Sequence, residues 1–218
     1  MKTFQLEGKP RTEVGKKSTK ALRKEGLIPA ILYGHELVEL PYKGKLEEGQ
    51  NLIESNGKGV IVNNFFVSFG DVRKLIYTPE IFLVELTLGG KVYNVILKDL
   101  QTHPVSDEIL HLDFLNVFAD KPIVMEVPVI LEGHAVGVKA GGKLNLVARK
   151  LRVKAFAKDI PENLKVNVEE LELGKSIQVK MLSFDKLQLI NAPDNVVCSV
   201  AITRGARAAA DAAANAEK

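Results

Sequence analysis

The pattern of hydrophobic and polar positions along this chain reads mainly as strands, in which side chains point alternately to opposite faces. Thr3–Gly8 (TFQLEG) alternates and predicts a first edge strand. LIPAILY (27–33) and ELVELPY (36–42) flank Gly34-His35, a turn signal. GVIVNNFFVSF (59–69), IFLVELTL (81–88) and KVYNVILKDLQ (91–101) are rich in β-branched and aromatic residues. Gly89-Gly90 between the last two predicts a two-residue hairpin turn. EILHLDFLNV (108–117) alternates so that Ile109, His111, Asp113 and Leu115 share one side, and Leu110, Leu112, Phe114 and Asn116 the other. On that reading the polar pair interrupts a buriable stripe.

Helical signals are sparse. Ser18 or Thr19 can cap a short helix through Ala21–Lys24, with Gly26 just past its end and Pro29 barring continuation. A second short helix is expected around Gly70–Leu75. Near Ala119–Pro122 the pattern restarts. IVMEVPVILEG (123–133), LNLVARKLRVKAF (144–156), LKVNVEEL (164–171), SIQVKML (176–182), LQLI and NVVCSVAI all read as strands. We therefore expect domains at 1–119 and 120–203, and a disordered Ala-rich tail at 204–218, too poor in large apolar residues to hold a helix.

Composition narrows the class. Of 218 residues, 46% are hydrophobic, enough for real cores, and 26% are charged. The single cysteine, Cys198, excludes an intrachain disulfide framework and a multi-Cys zinc site, and its apolar surroundings predict a buried small hydrophobe. No apolar run approaches ~18 residues, so no membrane helix is expected. The N-terminus lacks the apolar core of a signal peptide, so the expected location is the cytoplasm.

Net charge is only +3, yet Lys9–Gly26 carries seven Lys or Arg (Lys9, Arg11, Lys16, Lys17, Lys20, Arg23, Lys24) against Glu13 and Glu25. Such a concentration suits a phosphate backbone, where each contacting cation releases condensed counterions. Arg11 and Arg23 are the candidates for directed contacts, because the guanidinium fork matches phosphate and base edges. A merely solvated charged face fits the same composition. Tyr33, at a strand end, can stack on or hydrogen-bond to a nucleotide, or simply sit half-buried at a sheet edge. His111 and Asp113, at i and i+2, admit four readings: a carboxylate-oriented catalytic histidine, a metal-ligand pair, a partner for bases or riboses, or a satisfied structural pair. No Ser or Cys nucleophile motif accompanies them, and His35, His103 and His134 are scattered. GHAVGVKAGG (133–142) fits neither a dinucleotide fingerprint nor a Walker loop and reads as tight turns or a β-bulge.

Three segments together resemble one family: R-x-x-x-G-K-K-x-x-x-A-L-R-K-E-G-x-I-P-A-I-L-Y-G (11–34), V-I-L-K-D-L-Q-x-H-P-V-x-D-E-I-L-H-L-D-F (95–114) and V-P-V-x-L-E-G-x-A-x-G-V-K-x-G-G (127–142). The chain is similar, from about residue 1 to about 202, to bacterial large-subunit ribosomal protein twenty-five in its long, two-domain form, the CTC or general-stress form. The resemblance implies a mainly β protein: a small N-terminal β-barrel with short helices, plus a C-terminal β domain. It implies a structural ribosomal protein that binds 5S ribosomal RNA in the central protuberance of the large subunit, with neighbouring ribosomal proteins as possible partners. No enzymatic step, cofactor, metal, membrane or small-molecule substrate is implied. Its RNA-contact positions fall on Arg11, Arg23, Tyr33, His111 and Asp113, with Lys16 and Lys20 in the same region. Two rivals stand beside it: a metal- or His-dependent hydrolase using His103, His111 and Asp113, and a stress or interaction protein working off the ribosome. The Ala-rich tail departs from the acidic tails of many relatives.

Overall fold

The computed structural model describes residues 2–34, 37–38, 46–55 and 58–205, with the backbone alone at 37, 38 and 55. His35 of the Gly34-His35 turn, most of the strand expected over 36–42, and the tail beyond residue 205 lie outside the described residues. Two compact units follow one another, Met1–Lys121 and Pro122–Lys218. The fold is mainly β, as expected.

The first unit contains β1 (Lys2–Pro10), α1 (Lys16–Lys24), β2 (Leu27–Tyr33), β3 (Leu37–Val38), β4 (Gln50–Ser55), β5 (Lys58–Ser68), α2 (Phe69–Tyr77), β6 (Phe82–Leu88), β7 (Lys91–Thr102) and β8 (Ile109–Asn116). Six of these strands close a ring in the order β1-β6-β7-β8-β2-β5, with β5 returning to β1 through Lys9↔Phe66 and Pro10↔Phe65. A closed ring leaves no open edge among those strands. The long β5 serves both ends. Its second half pairs with β2, and its first half pairs with β3 and β4.

Alternation puts Leu6, Ala30, Leu32, Phe65, Val67, Val84, Leu86, Leu112 and Phe114 inside the barrel. Gly8 is inward too. A Cβ there would lie 2.7 Å from both the Phe65 ring and Leu88, so the missing side chain is what admits the phenylalanine. Helix α2 adds Val72 and Leu75 to the same core and runs longer than the expected Gly70–Leu75. Gly89 and Gly90 both have positive φ (54° and 81°), and Leu88 pairs with Lys91 across them. This is the two-residue hairpin expected from the sequence.

Strands β7 and β8 break register twice. One bulge is in β8 at Leu110, where Gln101↔His111 is followed by Thr102↔Ile109. The other is in β7 at Lys98, between Leu97↔Phe114 and Asp99↔Asp113. The first bulge corrects the sequence expectation for β8. The core stripe is Leu112 and Phe114, joined by Ile109 only because the bulge reverses its face. His111, Asp113 and Leu115 lie on the opposite face and interrupt no core.

The second unit is also β. It has β9 (Ile123–Glu132), α3 (Val136–Lys139), β10 (Lys143–Leu146), β11 (Lys150–Ala155), β12 (Leu164–Asn167), β13 (Ser176–Gln178), β14 (Gln188–Leu189) and β15 (Val196–Ala201). Sheet orders are β12-β9-β11-β14 and β10-β15-β13. Two expectations change here. The run 144–156 is not one strand. It divides at Val147–Arg149 and feeds two sheets, with the Val147 and Ala148 N–H groups both donating to Val197 O. The glycine-rich 133–142 contains the one-turn helix α3 rather than turns alone. Gly137 donates to Leu171 O at 2.9 Å, and a Cβ there would stand 2.6 Å from the Glu172–Leu173 backbone, so only glycine permits this approach. Cys198 is fully buried in β15, and burial raises its thiol pKa.

Candidate nucleic-acid interface

Helix α1 begins earlier than expected, at Lys16, after Gly15 at φ 137°. Ser18 and Thr19 are therefore inside the first turn, not before it. Their hydroxyls donate backwards, to Glu13 O (3.3 Å) and Gly15 O (2.7 Å), and cap no N–H. The helix ends as expected, with Gly26 at φ 74°. No residue of α1 is buried. Leu22 is half-covered, and Lys16, Lys17, Lys20, Arg23 and Lys24 are all exposed. Two cations at the helix N-terminus and no acidic residue in its first turn oppose the helix dipole. A nine-residue helix with this charge does not stand alone in water.

Two arginines hold it. Arg11, just past β1, anchors its own N–H on Asn64 O (2.9 Å). Its guanidinium donates from Nε to Glu13 O (2.7 Å) and from Nη2 to Thr19 Oγ1 (2.9 Å), tying the 11–15 loop to α1. Arg23 places Nε and Nη2 on a single acceptor, the Leu110 carbonyl, at 3.1 and 2.8 Å. That carbonyl belongs to the β8 bulge. The β2–β8 pairing starts only at Ala30↔Leu112, just after Pro29, which has no N–H to donate. The bulge and the proline together leave an acceptor that the arginine fork satisfies. Each arginine thus spends two of its five N–H groups inside the protein.

His111 and Asp113 lie one residue either side of Leu112, on the outer face of β8. His111 Nδ1 and Asp113 Oδ1 are 2.5 Å apart, and both atoms are shielded from solvent. Tyr33 closes β2, opposite Leu115. Its phenol pKa is raised, first by burial and then by the negative charges of Asp113 and Asp99. The phenol therefore stays protonated and able to donate. Strand pairing and charge thus set His111, Asp113 and Tyr33 on one side of the barrel, along β8 from the Leu110 bulge that Arg23 holds to Leu115. Lys16 and Lys20 stand on the helix that Arg23 ties to this bulge, and Arg11 braces that helix from its other end. Periodicity alone does not mark Asp99. Its signal was the outward position opposite Asp113, which becomes visible only once the Lys98 bulge sets the register.

His103 takes a different part. Its Nδ1 accepts the Val105 and Ser106 N–H groups (3.3 and 3.2 Å) and so organises the turn between β7 and β8. Among the described residues no group of three or more His, Cys, Asp or Glu side chains is placed to hold a metal ion. The hydrolase reading of His103, His111 and Asp113 gains no support from this arrangement. No helix among the described residues is long and apolar enough to cross a membrane.

Comparison with known proteins adds independent findings. Residues 6–114 match the model of the ribosomal L25p family, and residues 122–204 match that of the ribosomal protein TL5 C-terminal domain. The large ribosomal subunit protein bL25 of Porphyromonas gingivalis is 56% identical over 211 residues, covering 96% of this chain and 98% of its own. The protein of the same description from Parabacteroides distasonis is 51% identical, with 96% and 98% covered, and that from Bacteroides thetaiotaomicron is 46% identical, with 98% and 99% covered. A closed six-stranded barrel carrying a cationic helix, followed by a second β unit that matches its own model, places this chain in the ribosomal L25p family, in the form that bears a TL5-type C-terminal domain.

Proposed function

We propose that the chain is a structural component of the large ribosomal subunit, with no catalytic step, and that its first unit holds 5S ribosomal RNA. It works in the cytoplasm, where ribosomes act. The observation that carries the RNA-binding reading is α1. It presents five cations, buries none of its residues, and is fastened to the barrel beside the His111–Asp113 pair. A helix with so little covering it contributes little to the core and much to a surface potential.

The residues divide the task by chemistry. Lys16 and Lys20, with Lys17 and Lys24, neutralise phosphates and set affinity. Arg11 and Arg23 fix the loop and helix in register and offer their remaining N–H groups to the RNA backbone. Tyr33 donates its phenol proton to a nucleotide. His111 and Asp113 meet base edges or 2′-hydroxyls, which the shallow minor groove of an A-form duplex exposes.

The test is a titration with 5S RNA over a range of salt concentrations, comparing the wild type with Lys16→Ala/Lys20→Ala. Each lysine removed is expected to lower the slope of log affinity against log salt by up to about one unit. Affinity and slope that both stay at wild-type values would remove these lysines from the interface.

A further inference from the structure

Asp99 and Gln101 of β7 share the outer face of the barrel with His111 and Asp113. Residues paired across a sheet project to the same side, and here Asp99 pairs with Asp113 and Gln101 with His111. On the other flank of β8, Ile31 pairs with Asp113 and Leu115 with Tyr33. The polar patch of Asp99, Gln101, His111 and Asp113 therefore lies on β7 and β8, bracketed by the bulges at Lys98 and Leu110, with Ile31 and Leu115 as apolar neighbours and Tyr33 beyond them. The Lys98 bulge is what turns the β7 residues outward. Leu97 and Leu100, three apart, both pack on the core, while Asp99 and Gln101 are exposed.

The Asp99–Asp113 pairing is costly to the fold. Like charges directly opposed on a sheet destabilise it. The hydrogen bond Asp99 accepts comes from its own neighbour, the Leu100 N–H at 2.9 Å, which an asparagine would accept equally well. Two facing carboxylates also repel phosphate, in contrast to the cations of α1. What they suit is N–H and O–H donors. On an RNA surface those are base amino groups and 2′-hydroxyls, which line the shallow groove of an A-form duplex.

We propose that Asp99 and Gln101 are specificity-determining residues of the RNA surface, with Asp99 beside Asp113 accepting hydrogen bonds from base amino groups or 2′-hydroxyls and Gln101 extending that contact beside His111. The inference rests on the RNA-binding reading above. It assigns β7, rather than α1 alone, a share in deciding which RNA is held.

The experiment is the same 5S RNA titration in full-length protein, with Asp99→Asn and Gln101→Ala alongside the Lys16→Ala/Lys20→Ala variant. Asp99→Asn is expected to weaken binding about tenfold, leaving the salt slope unchanged because no phosphate contact is lost. Its thermal midpoint should equal or exceed that of the wild type, since an opposed charge has gone. Gln101→Ala should weaken binding in the same sense, again at constant slope. Binding by Asp99→Asn that is unchanged or tighter overturns the inference, because a carboxylate that merely repels phosphate gives that result. If the lysine variant behaves as expected while both β7 variants bind like the wild type, only the inference fails. If wild-type protein does not bind the RNA, the reading beneath it fails.

Discussion

The guanidinium of Arg23 joins two requirements in one side chain. It satisfies a bulge carbonyl that the proline-interrupted ladder leaves open, and it stands in the row of cations on α1. Hydrogen bonds from a charged donor contribute about 1.5–3 kcal/mol. Arg23→Ala should therefore lower the stability of the first unit by about that much, read as a lower urea midpoint, and should weaken RNA binding with it. Arg23→Lys keeps the charge without the fork, so it should restore the salt slope but not the midpoint. Wild-type midpoints in both variants would mean that the bulge does not need the arginine. Tyr33 makes a second prediction at this scale. Burial, Asp113 and Asp99 all raise its pKa above the ordinary 10.0. The folded state thus holds the phenolic proton more tightly than the unfolded chain. The associated stability is fully present below pH 10 and is lost as pH rises through the folded-state value. Difference absorbance at 295 nm between wild type and Tyr33→Phe should titrate above pH 10, and Asp99→Asn should bring that midpoint down. A midpoint at or below 10 in the wild type would contradict the placement of Tyr33 against the two carboxylates.

Among the elements, the barrel strands were the most legible. β-Branched and aromatic residues, with Gly89-Gly90, identify β5, β6, β7 and their hairpin without further help. Helix α1 was legible in its end and not in its start. Gly26 and Pro29 mark a stop by local conformation alone. Ser18 and Thr19, with every appearance of caps, lie inside the helix: each hydroxyl donates to a carbonyl upstream, and Arg11 donates to Thr19 Oγ1. Strand β4 is not legible in the sequence. QNLIES has little apolar alternation, and it is a strand because β5 offers a partner over six consecutive residues. The run 144–156 shows the opposite case. It is apolar enough to read as one strand, yet its alternation lapses from Leu146 to Lys150, and there the chain leaves one sheet and enters another, with the Val147 and Ala148 N–H groups on the Val197 carbonyl.

For the whole molecule, the division at Lys121/Pro122 and the placement of all seven candidate residues in the first unit lead to one expectation. Residues 1–121 alone should bind 5S RNA with the affinity and salt slope of the full chain. A loss of tenfold or more would assign part of the interface to the second unit. By itself, the sequence determined the class of fold, the cationic segment, the buried cysteine, and a list of polar residues far apart in the chain. Those properties follow from composition and local periodicity, which the order of residues carries directly. The barrel followed from the family resemblance, but the sequence did not determine that Leu110 and Lys98 are bulges, or that His111 and Asp113 face outward instead of breaking a core stripe. Nor did it reveal that Asp99 opposes Asp113, or that Arg23 reaches 87 positions along the chain to a bulge carbonyl. Register decides all of these. A shift of one residue exchanges the faces of a strand, and only the packed barrel, with Phe65 and Phe114 inside it, selects among the shifts.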